Sequence, residues 1–202
     1  MRMLAAILVI AALLGAAPVA AGQSAEFVVL RGGTPIGTHR AEVESVGDET
    51  RVHVSIALDV AFGPIPLYKY RHDSQEVWRD GRLTRLDSRT DDDGDILTLS
   101  VRSVGGGLRV EGATGVFTAP ADTVPTSYWN PALATNRPLL DSQIGRLLDV
   151  IRVPLGPGRW RLEGELKLDI AYSPQGQWTG LSFRHKGADF VYVPRGLADN
   201  RP

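Results

Sequence analysis

Val52-His53-Val54-Ser55-Ile56-Ala57-Leu58-Asp59-Val60-Ala61-Phe62 is the stretch that decides the fold. Every second residue is apolar, and those between are polar or small. Successive side chains on a strand point to opposite faces, so this is a half-buried strand. The pattern returns late in the chain. Trp160, Leu162, Leu166, Leu168 and Ile170 alternate with Arg161, Glu163, Glu165, Lys167 and Asp169. Runs of more than about ten residues fit a strongly curved sheet or a barrel better than a compact sandwich.

Turn signals punctuate the rest. Arg31-Gly32-Gly33-Thr34 separates a strand near Glu26–Leu30 from one over residues 36–46. Gly47-Asp48, Gly63-Pro64, Asp91 to Asp95, Gly105-Gly106-Gly107, Gly156-Pro157-Gly158, Ser173 to Gly176 and Lys186-Gly187 mark further turns. Asp80-Gly81 is a strong hairpin signal, because a type I′ turn needs positive φ at both central residues. Strands that follow one another directly read as an antiparallel meander of about ten to twelve strands. The expected fold is all-β: one strongly curved antiparallel sheet, an open or closed barrel-like meander.

Residues 119–147 break the rhythm. They carry Pro120, Pro125, Pro131 and Pro138 and little alternation. Asn130-Pro131 suits an N-cap followed by proline at the first helical position, which predicts a short helical turn over 131–135. Tyr128, Trp129, Leu139 and Leu140 predict that this long connection packs across or into the sheet. It divides a front meander (26–118) from a back one (148–193), with a tail over 194–202.

The N-terminus reads as an export signal. Arg2 precedes an apolar run from Leu4 to Leu14, then small residues to Ala21. Cleavage is expected after Ala21, leaving a single β domain over 22–202 in the periplasm. The rival reading is an uncleaved anchor, but residues 4–14 fall short of the roughly 20 needed to cross a bilayer. No transmembrane segment is expected in the mature chain. Absence of cysteine excludes lipid attachment at a thiol, disulfides and Cys-based metal sites. An exported chain without disulfides favours a periplasm. With 22 basic and 23 acidic residues, the chain lacks the basic footprint of a nucleic-acid binder.

Candidate chemistry centres on one strand. Tyr68, Tyr70, His72, Ser74, Glu76 and Trp78 share a face; Lys69, Arg71 and Asp73 lie on the other. Tyrosines with a histidine and a carboxylate suit the wall of a ligand cavity, and they suit a packed sheet face equally well. His72 and Glu76 are roughly 13 Å apart along an extended strand, with Ser74 about 7 Å from each, so no triad is preformed. A neighbouring strand would have to add a carboxylate; Asp87 is the candidate. His39, His53, His72 and His185 have no metal-ligand spacing, and Asp91 to Asp95 lacks a full calcium loop. No phosphate loop, nucleophile elbow or other cofactor motif occurs, and no cofactor is expected. Arg89 and Arg146 could anchor an anion. The expected ligand set is Tyr68, Tyr70, His72, Glu76, Trp78, Arg89, Tyr128 and Trp129.

Several stretches carry a family resemblance. They are Gly37-Thr38-His39, Pro66 to His72, Glu76 to Leu83, Asp87 to Gly94, Thr126 to Pro131 and Leu139 to Leu148. These resemble an exported proteobacterial family, domain of unknown function 6134, across nearly the whole mature chain. The resemblance implies a single periplasmic β domain and no catalytic residue. A looser likeness runs to envelope proteins whose curled sheets hold lipids or lipoprotein chains. Three functions follow in order of weight: a binding module for an apolar or amphipathic envelope molecule, an assembly protein with an envelope partner, and a hydrolase using His72 with Glu76, Asp87 or Asp141.

Overall fold

The computed structural model describes residues 23–198; the expected signal segment lies outside them. Eight strands follow in direct succession: β1 (Gln23–Arg31), β2 (Thr34–Val46), β3 (Glu49–Phe62), β4 (Ile65–Arg79), β5 (Arg82–Asp92), β6 (Asp95–Val104), β7 (Gly107–Gly112) and β8 (Gly115–Pro120). The long connection carries short strands β9 (Val124–Pro125), β10 (Leu139–Leu140) and β11 (Leu147–Leu148), and a 3-10 turn at Pro131–Ala134. The back meander is β12 (Val150–Gly156), β13 (Arg159–Gly164), β14 (Leu168–Tyr172), β15 (Trp178–His185) and β16 (Ala188–Pro194), followed by one helical turn at Arg195–Ala198.

The meanders form one antiparallel sheet of 13 strands, in the order β12-β13-β14-β15-β16-β1-β2-β3-β4-β5-β6-β7-β8. They join through their outer ends: β16 pairs with β1, Phe27 opposite Pro194 and Arg31 opposite Phe190. β8 and β12 are therefore the two edges, and the sheet does not close into a barrel.

Curvature follows from what the connection touches. Tyr172 of β14 donates its hydroxyl to the Tyr128 carbonyl at 2.8 Å, and the next residue, Trp129, donates its indole N–H to Glu76 of β4 at 2.9 Å. β14 and β4 lie six strands apart in the sheet, roughly 29 Å if it were flat. Adjacent residues bridge that span only because the sheet curls round them. Further ties run from Ser88 to the Ser142 carbonyl, from Thr114 to the Gly145 carbonyl, and from Arg152 to the carbonyls of Leu133 and Arg137. Val124, Leu133, Leu139 and Leu140 of the connection are fully buried. The concave face adds Phe27, Val29, Val52, Val54, Leu86, Val101, Val110, Leu162 and Ile170 to the same core. Each such side chain contributes about 1.5–3 kcal/mol of apolar burial.

Local chemistry accounts for the punctuation. Asp80 and Gly81 both have positive φ, 49° and 68°, as a type I′ turn demands. The Asn130 side chain accepts from Ala132 N at 2.9 Å and Pro131 opens the 3-10 turn. The run from Trp160 to Ile170 differs from expectation: it is a hairpin, not one strand. Gly164, at φ 107°, breaks it, and a Cβ there would sit 2.5 Å from the Asp149 carbonyl oxygen. Trp160 then faces Ile170 and Leu162 faces Leu168 across the pair, so period two survives the turn and conceals it. Glu165 is a clamp at the bend, accepting from Asp149 N and pairing with Arg146.

Candidate functional site

The burial of β4 alternates strictly over its second half. Tyr70, His72, Ser74, Glu76 and Trp78 face inward, while Lys69, Asp73, Gln75 and Arg79 face solvent. β4 is longer than β5, which reaches only to Tyr70. Ile65 to Lys69 therefore overhang one end of the sheet. The β1–β2, β5–β6 and β15–β16 turns lie at this same end.

Below that end opens a cleft of about 760 Å³. β2, β3 and β4 form one wall with Ile36, Val54, Ile56, Leu58, Val60, Tyr70 and His72. β15 and β16 form the other with Phe183, Phe190 and Tyr192. Thr126 to Tyr128 and Ser142-Gln143 of the connection close the floor. Arg31, Leu67, Tyr68, Asp92, Asp93, His185 and Lys186 surround the mouth. Tyr68 is tethered there, donating its hydroxyl to Asp92.

The floor is polar, and several of its groups have no hydrogen-bond partner among the described residues. The hydroxyls of Tyr70, Tyr128 and Tyr192 have no hydrogen-bond partner among the described residues. His72 contacts Thr90 Oγ1 through Nδ1 at 2.8 Å, which leaves Nε2 without a partner among the described residues. Behind them, both ring nitrogens of His39 are buried with no partner among the described residues, and the Ser127 hydroxyl is buried beside Glu76 without a well-formed bond. Buried polar groups are normally hydrogen-bonded, so the His39 nitrogens and the Ser127 hydroxyl call for an explanation, while the tyrosine hydroxyls and His72 line the open cleft. His39 sits among aromatic rings, its centroid 4.9 Å from that of Trp178 and 5.5 Å from that of Tyr192. Burial, helped by the charge of His72, lowers its pKa to about 3. Burial lowers His72 to about 4 against the opposing pull of Asp73 and Asp141. Burial likewise pushes Tyr70, Tyr128 and Tyr192 above the ordinary tyrosine range. At neutral pH the floor is an uncharged array of donors and acceptors.

Tyr128 holds a costly backbone. Its φ is 66°, and Trp129 N donates to the Ser127 carbonyl across it at 2.9 Å. That is a γ-turn of the rare positive-φ kind, strained for a bulky residue by about 1–3 kcal/mol. The Tyr172 hydroxyl secures it.

Glu76 lies deeper, 1% exposed. Its Oε2 accepts the indole N–H groups of Trp78 at 2.7 Å and Trp129 at 2.9 Å. Oε1 has no well-formed hydrogen bond. Burial raises the carboxyl above the ordinary glutamate value, outweighing Ser127 and the two indoles, which favour the ionised form. These three side chains make a knot that fastens the connection to β4.

Of the eight expected ligand residues, Tyr68, Tyr70, His72 and Tyr128 line the cleft; Glu76, Trp78 and Trp129 form the knot beside it. Arg89 is exposed on the convex face, opposite Asp73. A bulge explains this. β4 and β5 pair Trp78 with Leu83 but Val77 with Arg85, so Thr84 is the extra residue. One inserted residue exchanges the faces of everything beyond it. His72 therefore faces Thr90, while Asp87 turns outward to Arg85 and Arg102. No carboxylate hydrogen-bonds to His72, and the residues named for a triad are not brought together. Arg146 pairs with Glu165. Asp91 and Asp93 cap their own turn through Gly94 N and Lys69 N. His39, Ile36, Ser127, Phe183, Phe190 and Tyr192 complete the site without having been expected there. Tyr192 comes to face β4 across the cleft through the pairing of β16 with β1.

A second cleft of about 610 Å³ lies at the other end, between the start of β1, Trp129, Pro131 and residues 175–179. Phe27 and Trp178, with ring centroids 4.2 Å apart, stand between the two.

No curated protein and no solved structure matches the chain. Residues 27–195 match the family described as Domain of unknown function (DUF6134), and the chain belongs to that family.

Proposed function

We propose that this chain is exported and binds a small apolar or amphipathic envelope molecule in the cleft between β2–β4 and β15–β16. One observation carries the reading: an apolar cleft ends on tyrosine hydroxyls and an imidazole nitrogen that have no hydrogen-bond partner among the described residues. Ligand sites combine apolar walls with a few convergent polar groups in this way. The strain at Tyr128 supports it, since such backbone outliers gather at ligand clamps. Among the described residues no helix is long and apolar enough to cross a membrane.

The test is uptake of the neutral apolar dye N-phenyl-1-naphthylamine by the full purified chain. Ile56→Trp places a large side chain in the cleft and is expected to abolish uptake while the protein still unfolds cooperatively. Equal uptake by wild type and Ile56→Trp counts against the cleft.

A second reading, envelope assembly, draws on the open edges. β8 and β12 expose Val116 and Ile151 beside unpaired backbone, the arrangement that accepts an added strand. The connection itself is packed inside the sheet and offers little contact surface. In-cell crosslinking from Ile151 that captures no stoichiometric partner would weigh against this reading.

A further inference from the structure

The polar groups of the cleft are not scattered; they are graded along its depth. His39, Ile56, His72 and Thr90 lie at one level across β2 to β5. Tyr70 and Tyr192 stand one register pair higher, level with Leu58, and Ile36, Phe183 and Phe190 stand above them. Val60 is two residues beyond Leu58, so the apolar section above the tyrosines is roughly 7 Å deep. The lysine and arginine of the lining are Lys186 and Arg31, in a turn and at a strand end around the mouth. The floor holds no lysine or arginine.

We propose that the cleft seats an amphipath head-first and selects an uncharged head that donates or accepts hydrogen bonds, such as an alcohol or a quinone carbonyl, over a carboxylate or phosphate. The inference rests on the binding reading above. The hydroxyls of Tyr70, Tyr128 and Tyr192 each donate one proton and accept others, and His72 Nε2 adds a fourth site. A neutral head satisfies them and is satisfied by them. A carboxylate carried to the same depth loses its hydration and finds no cation to offset that loss. An amphipath of the opposite orientation would leave the floor groups against its apolar tail. The ring of Arg31, Lys186, Asp92 and Asp93 at the mouth is mixed in charge and wet, and it meets only the tail end.

The test uses three probes with one tail: dodecan-1-ol, dodecanoate and dodecyl phosphate, displacing N-phenyl-1-naphthylamine from the full chain at pH 8. The alcohol is expected to displace the dye at about tenfold lower concentration or better than either anion, the scale of one charge-desolvation difference. The double variant Tyr70→Phe/Tyr192→Phe keeps the cleft's shape and is expected to lose the preference for the alcohol over the anions, each probe being read against that variant's own dye affinity. Anions that match or beat the alcohol on wild type, or a preference unchanged in the double variant, overturn the head-group inference and leave the cleft standing. A protein that takes up neither dye nor alcohol overturns the binding reading, and this inference falls with it.

Discussion

Glu76 offers the sharpest perturbation, because one carboxylate oxygen holds both indoles. Glu76→Ala strands the N–H groups of Trp78 and Trp129 in a dry environment and opens a cavity. An unsatisfied buried donor costs about 1–3 kcal/mol, so the two together give a loss of about 4 kcal/mol. With a urea m-value of about 2 kcal/mol/M, the unfolding midpoint falls by about 2 M. Glu76→Gln behaves differently. Its carbonyl oxygen can take both indoles, and its amide can face the Ser127 hydroxyl, which is buried without a well-formed bond. It is expected within about 1 kcal/mol of wild type at pH 7, and the sign depends on pH. The folded carboxyl binds its proton above the ordinary value of 4.5. Its contribution is therefore fully present below that value and is lost as pH rises through the folded pKa. Wild type thus weakens relative to Glu76→Gln as pH rises from 4.5. The assay is urea unfolding followed by tryptophan fluorescence at a series of pH values from 4.5 to 8. A glutamine variant as unstable as the alanine one, or a wild type that gains on it with rising pH, would refute the argument.

Other consequences are as concrete. Tyr172→Phe removes the hydroxyl that holds the carbonyls of Tyr128 and Asn130, and should cost about 1–2 kcal/mol in thermal or urea unfolding while loosening probe binding. An unchanged probe affinity would separate Tyr128's backbone from the site. Gly37→Ala sets a Cβ 1.9 Å from the Ala57 carbonyl oxygen at φ 150°, and should lower stability by more than about 3 kcal/mol in the same unfolding assay. The depressed pKa values of His39 and His72, about 3 and 4, mean that stability present above pH 6.5 is lost as pH falls toward 4 and below. His72→Gln should flatten that limb in an acid-unfolding titration. His53, on the convex face between Glu42 and Asp73, runs the opposite way: its pKa is raised, chiefly by the Asp73 hydrogen bond, so its contribution fades above neutral pH. His53→Gln should matter at pH 6 and not at pH 9, read from melting temperatures.

The legible parts of the fold were those set by local chemistry. Alternation through β3 and β4, the Asp80-Gly81 turn and the Asn130-Pro131 cap each depend on residues within a few positions. Three features depend on distant ones. The joining of β16 to β1 pairs Phe27 with Pro194, almost the full length of the domain. The extra Thr84 on β5 reverses which of Asp87, Ser88, Arg89 and Thr90 face inward, and a threonine in a strand gives no warning of a bulge. The break at Gly164 is hidden because a tight hairpin returns the same parity to the same face. At the site, β4 alone revealed Tyr68, Tyr70 and His72. Glu76 and Trp78 share their face but meet Trp129 instead of the cleft, since depth along a strand is not encoded in period two. The opposite wall of Phe183, Phe190 and Tyr192 follows only from the curl.

Native mass spectrometry bears most directly on the central claim. The full chain would be expressed in a Gram-negative host and purified without detergent, beside Ile56→Trp. The account expects a mass starting after Ala21 and a discrete adduct that solvent extraction removes as a neutral amphipath, present in wild type and absent in the blocked variant. A clean mass for wild type, with no uptake of dodecan-1-ol on incubation, or an adduct that persists in Ile56→Trp, would contradict it.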